Sequence, residues 1–124
     1  MALRKDAGRY ECGTLNTIGC FGLRAGIELL LEVGVENVAR QVQFLTDRLT
    51  AGALAKGYET LCERTPANGA GIVSIRKAGV DSRIVWKQLR EKGITAAPRQ
   101  GYVRLSPHFY LSPSDIDHVV DELP

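Results

Sequence analysis

Cysteine is scarce in this sequence, and the spacing of the three that occur excludes a disulfide framework. Cys12, Cys20 and Cys62 are odd in number, and no two of them form a C-x-x-C pair. Secreted disulfide scaffolds pair an even number of cysteines, and structural zinc sites use closely spaced ligands. We therefore expect no metal site, and we expect the reducing environment of the cytoplasm.

An excess of charge of either sign and a long apolar segment are also lacking. The 16 basic and 14 acidic residues leave a net charge of +2 and are spread along the chain, unlike the basic patch of a nucleic-acid-binding protein. The longest apolar run, Ile27–Val33, contains two carboxylates and is far shorter than the ~20 residues that cross a bilayer as a helix. We expect neither a nucleic-acid partner nor a membrane partner.

The composition that remains is typical of one small globular domain. The chain has 124 residues, of which 44% are hydrophobic and 24% are charged. Residues 1–16 show no periodicity and are interpreted as an irregular lead-in. Residues 17–124 are predicted to form a single domain.

Four helices and four short strands are predicted from the apolar spacing and the capping residues. Helix 17–33 is apolar on several sides, which predicts burial on more than one face. The last helix begins with Ser112 as N-cap and Pro113 in its first turn. The other segments are a helix over 35–56, strands over 58–61 and 70–76, a helix from Asp81 to Lys92, and strands over 94–97 and 102–106. The order α-α-β-β-α-β-β-α predicts an α+β fold in which helices cover one face of a small antiparallel sheet.

The turn and strand at residues 99–106 carry the candidate binding residues. Arg99 and Arg104 stand beside glycine, serine and proline, and guanidinium groups suit the bidentate binding of a carboxylate or phosphate. Side chains alternate faces along a strand, so Arg104 points to the open face of the sheet if Val103 and Leu105 point toward the helices. The alternative is a solvated surface arginine, since most arginines are exposed.

Two segments far apart in the chain carry a resemblance to a known family. The first is Arg9-Tyr10-Glu11-Cys12-Gly13-Thr14-Leu15-Asn16, and the second is Arg104-Leu105-Ser106-Pro107-His108-Phe109-Tyr110. Both resemble motifs of the class V enzymes that depend on pyridoxal phosphate, the family of cysteine desulfurases, selenocysteine lyases and isopenicillin N epimerase-like proteins. The resemblance implies that this chain is the C-terminal, small domain of such an enzyme.

The resemblance also implies roles for four residues. Gly13 and Thr14 would lie on the loop that reaches the cofactor phosphate, usually that of the partner subunit in a homodimer. Arg104 would bind the α-carboxylate of an amino-acid substrate, and Arg99 would be a second anion contact. From the residues alone, Gly13-Thr14 could equally be a turn before the first helix.

The sequence departs from the family pattern in one respect that bears on the reaction. A desulfurase needs a nucleophilic cysteine in the loop before the carboxylate-binding arginine. Between Arg99 and Arg104 there is only Gln100-Gly101-Tyr102-Val103, so that loop is absent. We therefore prefer an epimerase, aminotransferase or lyase parent, with the desulfurase or selenocysteine lyase as the alternative.

The large domain that holds the cofactor in this family has no counterpart in the sequence. None of the five lysines stands in surroundings that resemble those of the Schiff-base lysine. We expect the chain to be inactive alone, although its parent is an enzyme. A second alternative is a non-catalytic α+β module that binds a carboxylate or a protein, and a polar, charged sheet face around Arg104 would favour it.

Three other side chains receive simpler interpretations. His108 could be a general base, but a hydrogen-bonded structural histidine is the preferred hypothesis. Trp86 and Tyr110 are interpreted as packing residues.

Overall fold

The computed structural model describes residues 4–10, 13–65 and 67–124, and it divides the chain into two units, Met1–Gly34 and Val35–Pro124. Glu11 and Cys12 of the first family motif lie outside the described residues.

The first unit contains a short 3₁₀ helix, Ala7–Tyr10, and helix α1, Thr17–Val33. The Asn16 side chain caps α1 by accepting a hydrogen bond from the backbone N–H of Gly19 at 2.9 Å. Gly34, with a φ of +87°, ends the helix. The bounds of α1 agree with those predicted, because both ends carry a residue with capping chemistry.

The burial predicted for α1 is wrong for this chain. None of its side chains is buried, and Ile18 and Phe21 are 85% and 74% exposed. An all-round apolar pattern indicates a helix that other structure surrounds. The described residues of this unit offer only one helical turn and a loop beside α1, which is too little to form a second layer.

The second unit contains the remaining elements in the predicted order. They are α2 (Val35–Ala55), β1 (Glu59–Thr60), β2 (Val73–Arg76), α3 (Ser82–Glu91), β3 (Ala97–Arg99), β4 (Tyr102–Leu105) and α4 (Pro113–Asp121). The strands form one antiparallel sheet in the order β1-β2-β4-β3. No helix among the described residues combines the length and apolar content needed to cross a bilayer.

The core lies between the helices and one face of this sheet. Alternate residues of β2 and β4 are buried and join apolar residues of α2, α3 and α4 in one cluster. Its least exposed members include Leu45, Leu49, Ile75, Val85, Leu89 and Val103. The predicted α+β architecture, with helices on one face of a small antiparallel sheet, is therefore confirmed.

The third strand begins three residues later than predicted, because Ile94 belongs to the end of α3. Gly93 adopts a φ of +77°, and the backbone N–H of Ile94 donates to the carbonyl of Leu89 at 2.9 Å. This is the pattern of a helix that ends with a left-handed glycine. The Ile94 side chain then completes the core instead of starting a strand.

The predicted strands 94–97 and 102–106 leave Pro98 in the turn between them, whereas it lies inside β3. It stands opposite Val103, and the turn consists of Gln100 and Gly101, with φ values of +48° and +84°. Two residues with positive φ give the turn whose twist matches that of a hairpin. A proline is tolerated here because β3 is an edge strand.

Helices α2 and α4 approach each other closely at Gly52. A Cβ atom at this position would lie 2.5 Å from Cγ2 of Val120. Arg48 and Asp117 join the same helices through two hydrogen bonds of 2.5 and 2.8 Å. Lys56 donates to the carbonyls of Asp121 and Leu123, both at 2.7 Å, at the end of α4.

The contact at Gly52 yields a prediction for stability. Gly52→Ala is expected to lower the free energy of unfolding by about 1 kcal/mol, because the clash with Val120 costs about 1–3 kcal/mol and alanine regains up to about 1 kcal/mol in helix propensity. Urea unfolding followed by circular dichroism measures the change.

The matched control is the double variant Gly52→Ala, Val120→Ala. We expect Gly52→Ala to be neutral or stabilising once Val120 is reduced to alanine, since the clash has then gone. An equal loss in both backgrounds would contradict the close packing of α2 on α4.

Candidate functional site

Arg104 lies on the sheet face that the helices of the second unit leave open. In β4, Val103 and Leu105 are buried and Tyr102 and Arg104 are half-buried. Arg104 stands opposite Ser74 of β2 on one side and Ala97 of β3 on the other. The alternation expected from the sequence is therefore observed.

The guanidinium of Arg104 has no partner in the part of the chain that the structure describes. Among the described residues it makes no hydrogen bond or ion pair, whereas Arg48, Arg64 and Arg76 each pair with a carboxylate. A half-buried arginine with free donors is available to bind an anion from outside the chain.

A cleft of about 650 Å³ opens beside Arg104. Its walls come from the segment before β3, from the end of β4 with the turn that follows it, and from α4. The side chains lining it include Leu49, Ile94, Thr95, Arg104, Ser106, His108, Tyr110, Leu111, Asp115, Ile116, His118 and Val119. The size falls within the about 300–1,000 Å³ of small-molecule sites.

Arg99 shares the sheet face with Arg104 but does not line the cleft. Arg99 is exposed and stands opposite Tyr102 of β4. Tyr102 is two residues before Arg104 in the same strand. Residues in this diagonal relation lie on one side of a sheet. The structure thus brings the two arginines onto one surface and gives only Arg104 a place in the cleft.

Gly13 and Thr14 belong to the first unit and are both exposed. Gly13 has a φ of +108°, a conformation that side chains disfavour, and a Cβ there would meet no atom within 4 Å. Backbone conformation, and not crowding, therefore accounts for this glycine.

The aromatic residues after β4 differ from their predicted roles. His108 is exposed, and among the described residues its ring makes no hydrogen bond, so the structural hydrogen bond expected for it is wrong. Tyr110 is 73% exposed and not packed in the core. The two rings stack on each other at 4.7 Å, with 26° between their planes. The run of three aromatic side chains after Pro107 is the signal that could have indicated such a cluster.

Trp86 is half-buried as expected, but it also has a polar contact that the sequence did not indicate. Its indole N–H donates to the carbonyl of Ala96 at 3.0 Å. Ala96 in turn lines the cleft.

The lysines of the second unit are engaged away from the cleft. Lys56 and Lys77 donate to carbonyls near the end of the chain, and Lys87 and Lys92 pair with glutamates. Among the described cleft residues there is no lysine. The residues around Arg104 therefore suit a carboxylate but do not suit the aldehyde of pyridoxal phosphate, which reacts with a lysine amine.

The described residues place neither a metal cluster nor a cysteine at this site. The described residues contain no group of three or more histidine, cysteine, aspartate or glutamate side chains that could hold a metal ion. Cys20 and Cys62 are exposed, and neither lines the cleft.

Asp115 is the one carboxylate among the described residues that line the cleft, and a helix cap holds it. Its Oδ2 accepts hydrogen bonds from the backbone N–H and the hydroxyl of Ser112, both at 2.7 Å. These bonds, with a smaller contribution from His118, lower the pKa of Asp115. The pair forms a capping box at the start of α4, where Ser112 was predicted to be the N-cap.

Comparison with known proteins defines the class of protein to which this site belongs. The model of the aminotransferase class-V family matches residues 2–118, so the chain belongs to the aminotransferase class-V family. Two curated relatives are the uncharacterized aminotransferase YcbU of Bacillus subtilis and a probable cysteine desulfurase of Methanothermobacter thermautotrophicus. The first is 29% identical over 98% of this chain and 32% of its own length, and the second is 28% identical over 87% and 31%.

The likeness extends to solved structures. The apo cysteine desulfurase of Thermococcus onnurineus superposes with a TM-score of 0.86 at 26% identity, over 97% of this chain and 33% of that one. A cystine C-S lyase bound to cysteine persulfide has the same fold, with a TM-score of 0.80 at 22% identity, over 93% and 31%. The chain thus spans about a third of the length of these relatives.

The cap at Ser112 yields a prediction about acid stability. Ser112→Ala removes the hydroxyl that helps to lower the pKa of Asp115. The loss of this N-cap should lower the free energy of unfolding by about 1 kcal/mol at neutral pH. A carboxylate with a lowered pKa stabilises the fold above its unfolded pKa of about 3.9 and loses that effect as the pH falls through the folded value. The deficit of the variant should therefore shrink toward pH 3, as measured by urea unfolding at both pH values. Equal deficits would contradict a role for ionised Asp115.

Proposed function

We propose that this chain provides the substrate-carboxylate site of a class V enzyme that depends on pyridoxal phosphate and acts at Cα or Cβ of an amino acid. The observation that carries the proposal is Arg104, a half-buried arginine that lines a cleft of about 650 Å³ and whose guanidinium has no partner among the described residues. Such a group binds a planar carboxylate with two parallel hydrogen bonds. It would thereby fix the orientation of the substrate, which selects the bond that reacts.

The other predicted contacts complete the proposal. Gly13 and Thr14 would reach the cofactor phosphate, usually across a homodimer interface, with a hydroxyl and a backbone N–H. Arg99 would attract the anion to the sheet face without touching the cleft floor. When bound, pyridoxal phosphate supplies an electron sink for the reacting carbon. This chain lacks a suitable lysine, so the larger domain of the parent would hold the cofactor.

The desulfurase or selenocysteine lyase is the alternative within the family. It is supported by the relatives named as cysteine desulfurases. Against it stands the hairpin of β3 and β4, which turns through Gln100 and Gly101 alone and carries no thiol. We therefore keep an epimerase, aminotransferase or lyase parent as the first candidate.

One observation favours the non-catalytic module as a second candidate. The open sheet face is charged and not apolar, because Glu59 pairs with Arg76 at 2.9 Å and the Arg76 guanidinium lies 5.2 Å from the centre of the Tyr102 ring. Such a surface is compatible with water. A module of this kind would bind carboxylates without cofactor chemistry.

The first prediction concerns the cofactor. The isolated chain mixed with pyridoxal phosphate should give no stable Schiff-base absorption band, because no described lysine lies in the cleft. Absorption spectra recorded before and after gel filtration test this. A persistent band that disappears when a single lysine is replaced would overturn the assignment of the cofactor to another domain.

The second prediction concerns the substrate. In the assembled enzyme, Arg104→Ala should raise KM for the amino acid by at least about thirtyfold, the equivalent of about 2 kcal/mol for a charge pair that loses one member. Arg99→Ala is the matched control and should raise KM less, since Arg99 lies outside the cleft. An unchanged KM for Arg104→Ala would refute the carboxylate role.

A further inference from the structure

The cleft beside Arg104 is built mainly from aliphatic side chains. Leu49, Ile94, Leu111, Ile116 and Val119 come from α2, α4 and the segments that flank β3 and β4. Three of these, Leu49, Ile94 and Ile116, also belong to the core, so the floor of the cleft is the edge of the core itself. Because those three are at most 9% exposed, the apolar surface that a ligand can remove from water comes from the half-buried Leu111 and Val119.

The stacked rings of His108 and Tyr110 add an aromatic wall to this cleft. The turn that carries them is fixed at its end, because the backbone N–H of Leu111 donates to the carbonyl of His108 at 3.1 Å. Gln41 of α2 donates to the carbonyl of Leu111 at 3.3 Å. Tyr110 is nevertheless 73% exposed, so its ring presents a held but uncovered surface. A tyrosine ring on a fixed turn with most of its surface exposed is suited to packing against a ligand.

The charges of the cleft restrict what the ligand can carry. Arg104 offers free donors for one carboxylate, whereas Asp115 is an anion whose Oδ2 is already bonded to Ser112. A second anionic group on the ligand would meet that carboxylate, and like charges repel. The ligand therefore has one carboxylate and a substituent without negative charge.

The volume restricts the ligand further. A cleft of about 650 Å³ is much larger than the smallest amino acids need, and it lies in the middle of the range for drug-sized ligands. We propose that this cleft selects a carboxylic acid with a large apolar substituent, which lies against the half-buried Leu111 and Val119 and the His108–Tyr110 stack. This inference rests on the proposed role of Arg104 and adds the class of substrate side chain.

The fluorescence of Trp86 provides a way to measure the binding of ligands to the cleft. It is the only tryptophan of the chain, and its indole N–H is bonded to Ala96, which lines the cleft. Fluorescence excited at the tryptophan band therefore reports binding of acids to the intact chain. The probes are acetate, glutarate and 3-phenylpropionate. We expect 3-phenylpropionate to bind at least about tenfold more tightly than either of the others, from the apolar area it covers.

The variants separate the apolar wall from the carboxylate site. Tyr110→Ser should weaken 3-phenylpropionate at least about threefold and leave acetate unchanged, because only the apolar group touches the ring. Leu61→Ser is the matched control, since Leu61 lies in the same unit, is 62% exposed and does not line the cleft, and it should change neither. Arg104→Gln should weaken all three acids.

The outcomes distinguish this inference from the function on which it rests. If the three acids bind equally and all depend on Arg104, the apolar selectivity is wrong and the carboxylate role stands. If 3-phenylpropionate binds as well to Arg104→Gln as to the unaltered chain, the carboxylate role is wrong. If no acid binds, the proposal fails as a whole.

Discussion

The burial of Val103 and Leu105 is the constraint on which the site depends. These two side chains fill the core beneath the helices, and the pleat of β4 then leaves Arg104 no direction except the opposite face. A slip of one residue in the pairing with β2 would place a guanidinium in the core and two aliphatic side chains in water. The apolar core thus sets the register, and the register places the binding residue.

Much of this could be predicted from the sequence, because the controlling signals are local. The alternation in β4, the capping box at Ser112 and the glycines after α1 and α3 each act within a few residues. The course of β3 could not be predicted in the same way. Ile94 is β-branched, which is typical of a strand, yet the left-handed Gly93 draws it into the end of α3. Tertiary packing of the Ile94 side chain, which local patterns do not contain, decides between the two.

The candidate site shows the same division between local and distant causes. The orientation of Arg104 follows from strand periodicity, whereas the cleft brings together the segment before β3, the turn after β4 and α4, which are separated in sequence by whole elements. The stacking of His108 on Tyr110 joins residues only two apart, whereas the turn that carries them is also held by a distant residue, Gln41 of α2, through Leu111. For α1 the apolar pattern indicates a surrounded helix, although no side chain of α1 is buried in this chain. That contrast agrees with a chain that spans about a third of the length of its relatives.

Pro98 has a consequence for how this sheet meets other molecules. A two-residue turn makes Arg99 and Tyr102 the hydrogen-bonded pair, so the nitrogen of Pro98, one pair further on, faces the outer side of the edge strand. That position would otherwise present an N–H to a passing strand, and proline removes it. The opposite edge, β1, is only two residues long. Neither edge therefore invites the addition of a fifth strand, and the sheet is protected from the edge-to-edge growth that leads to aggregation.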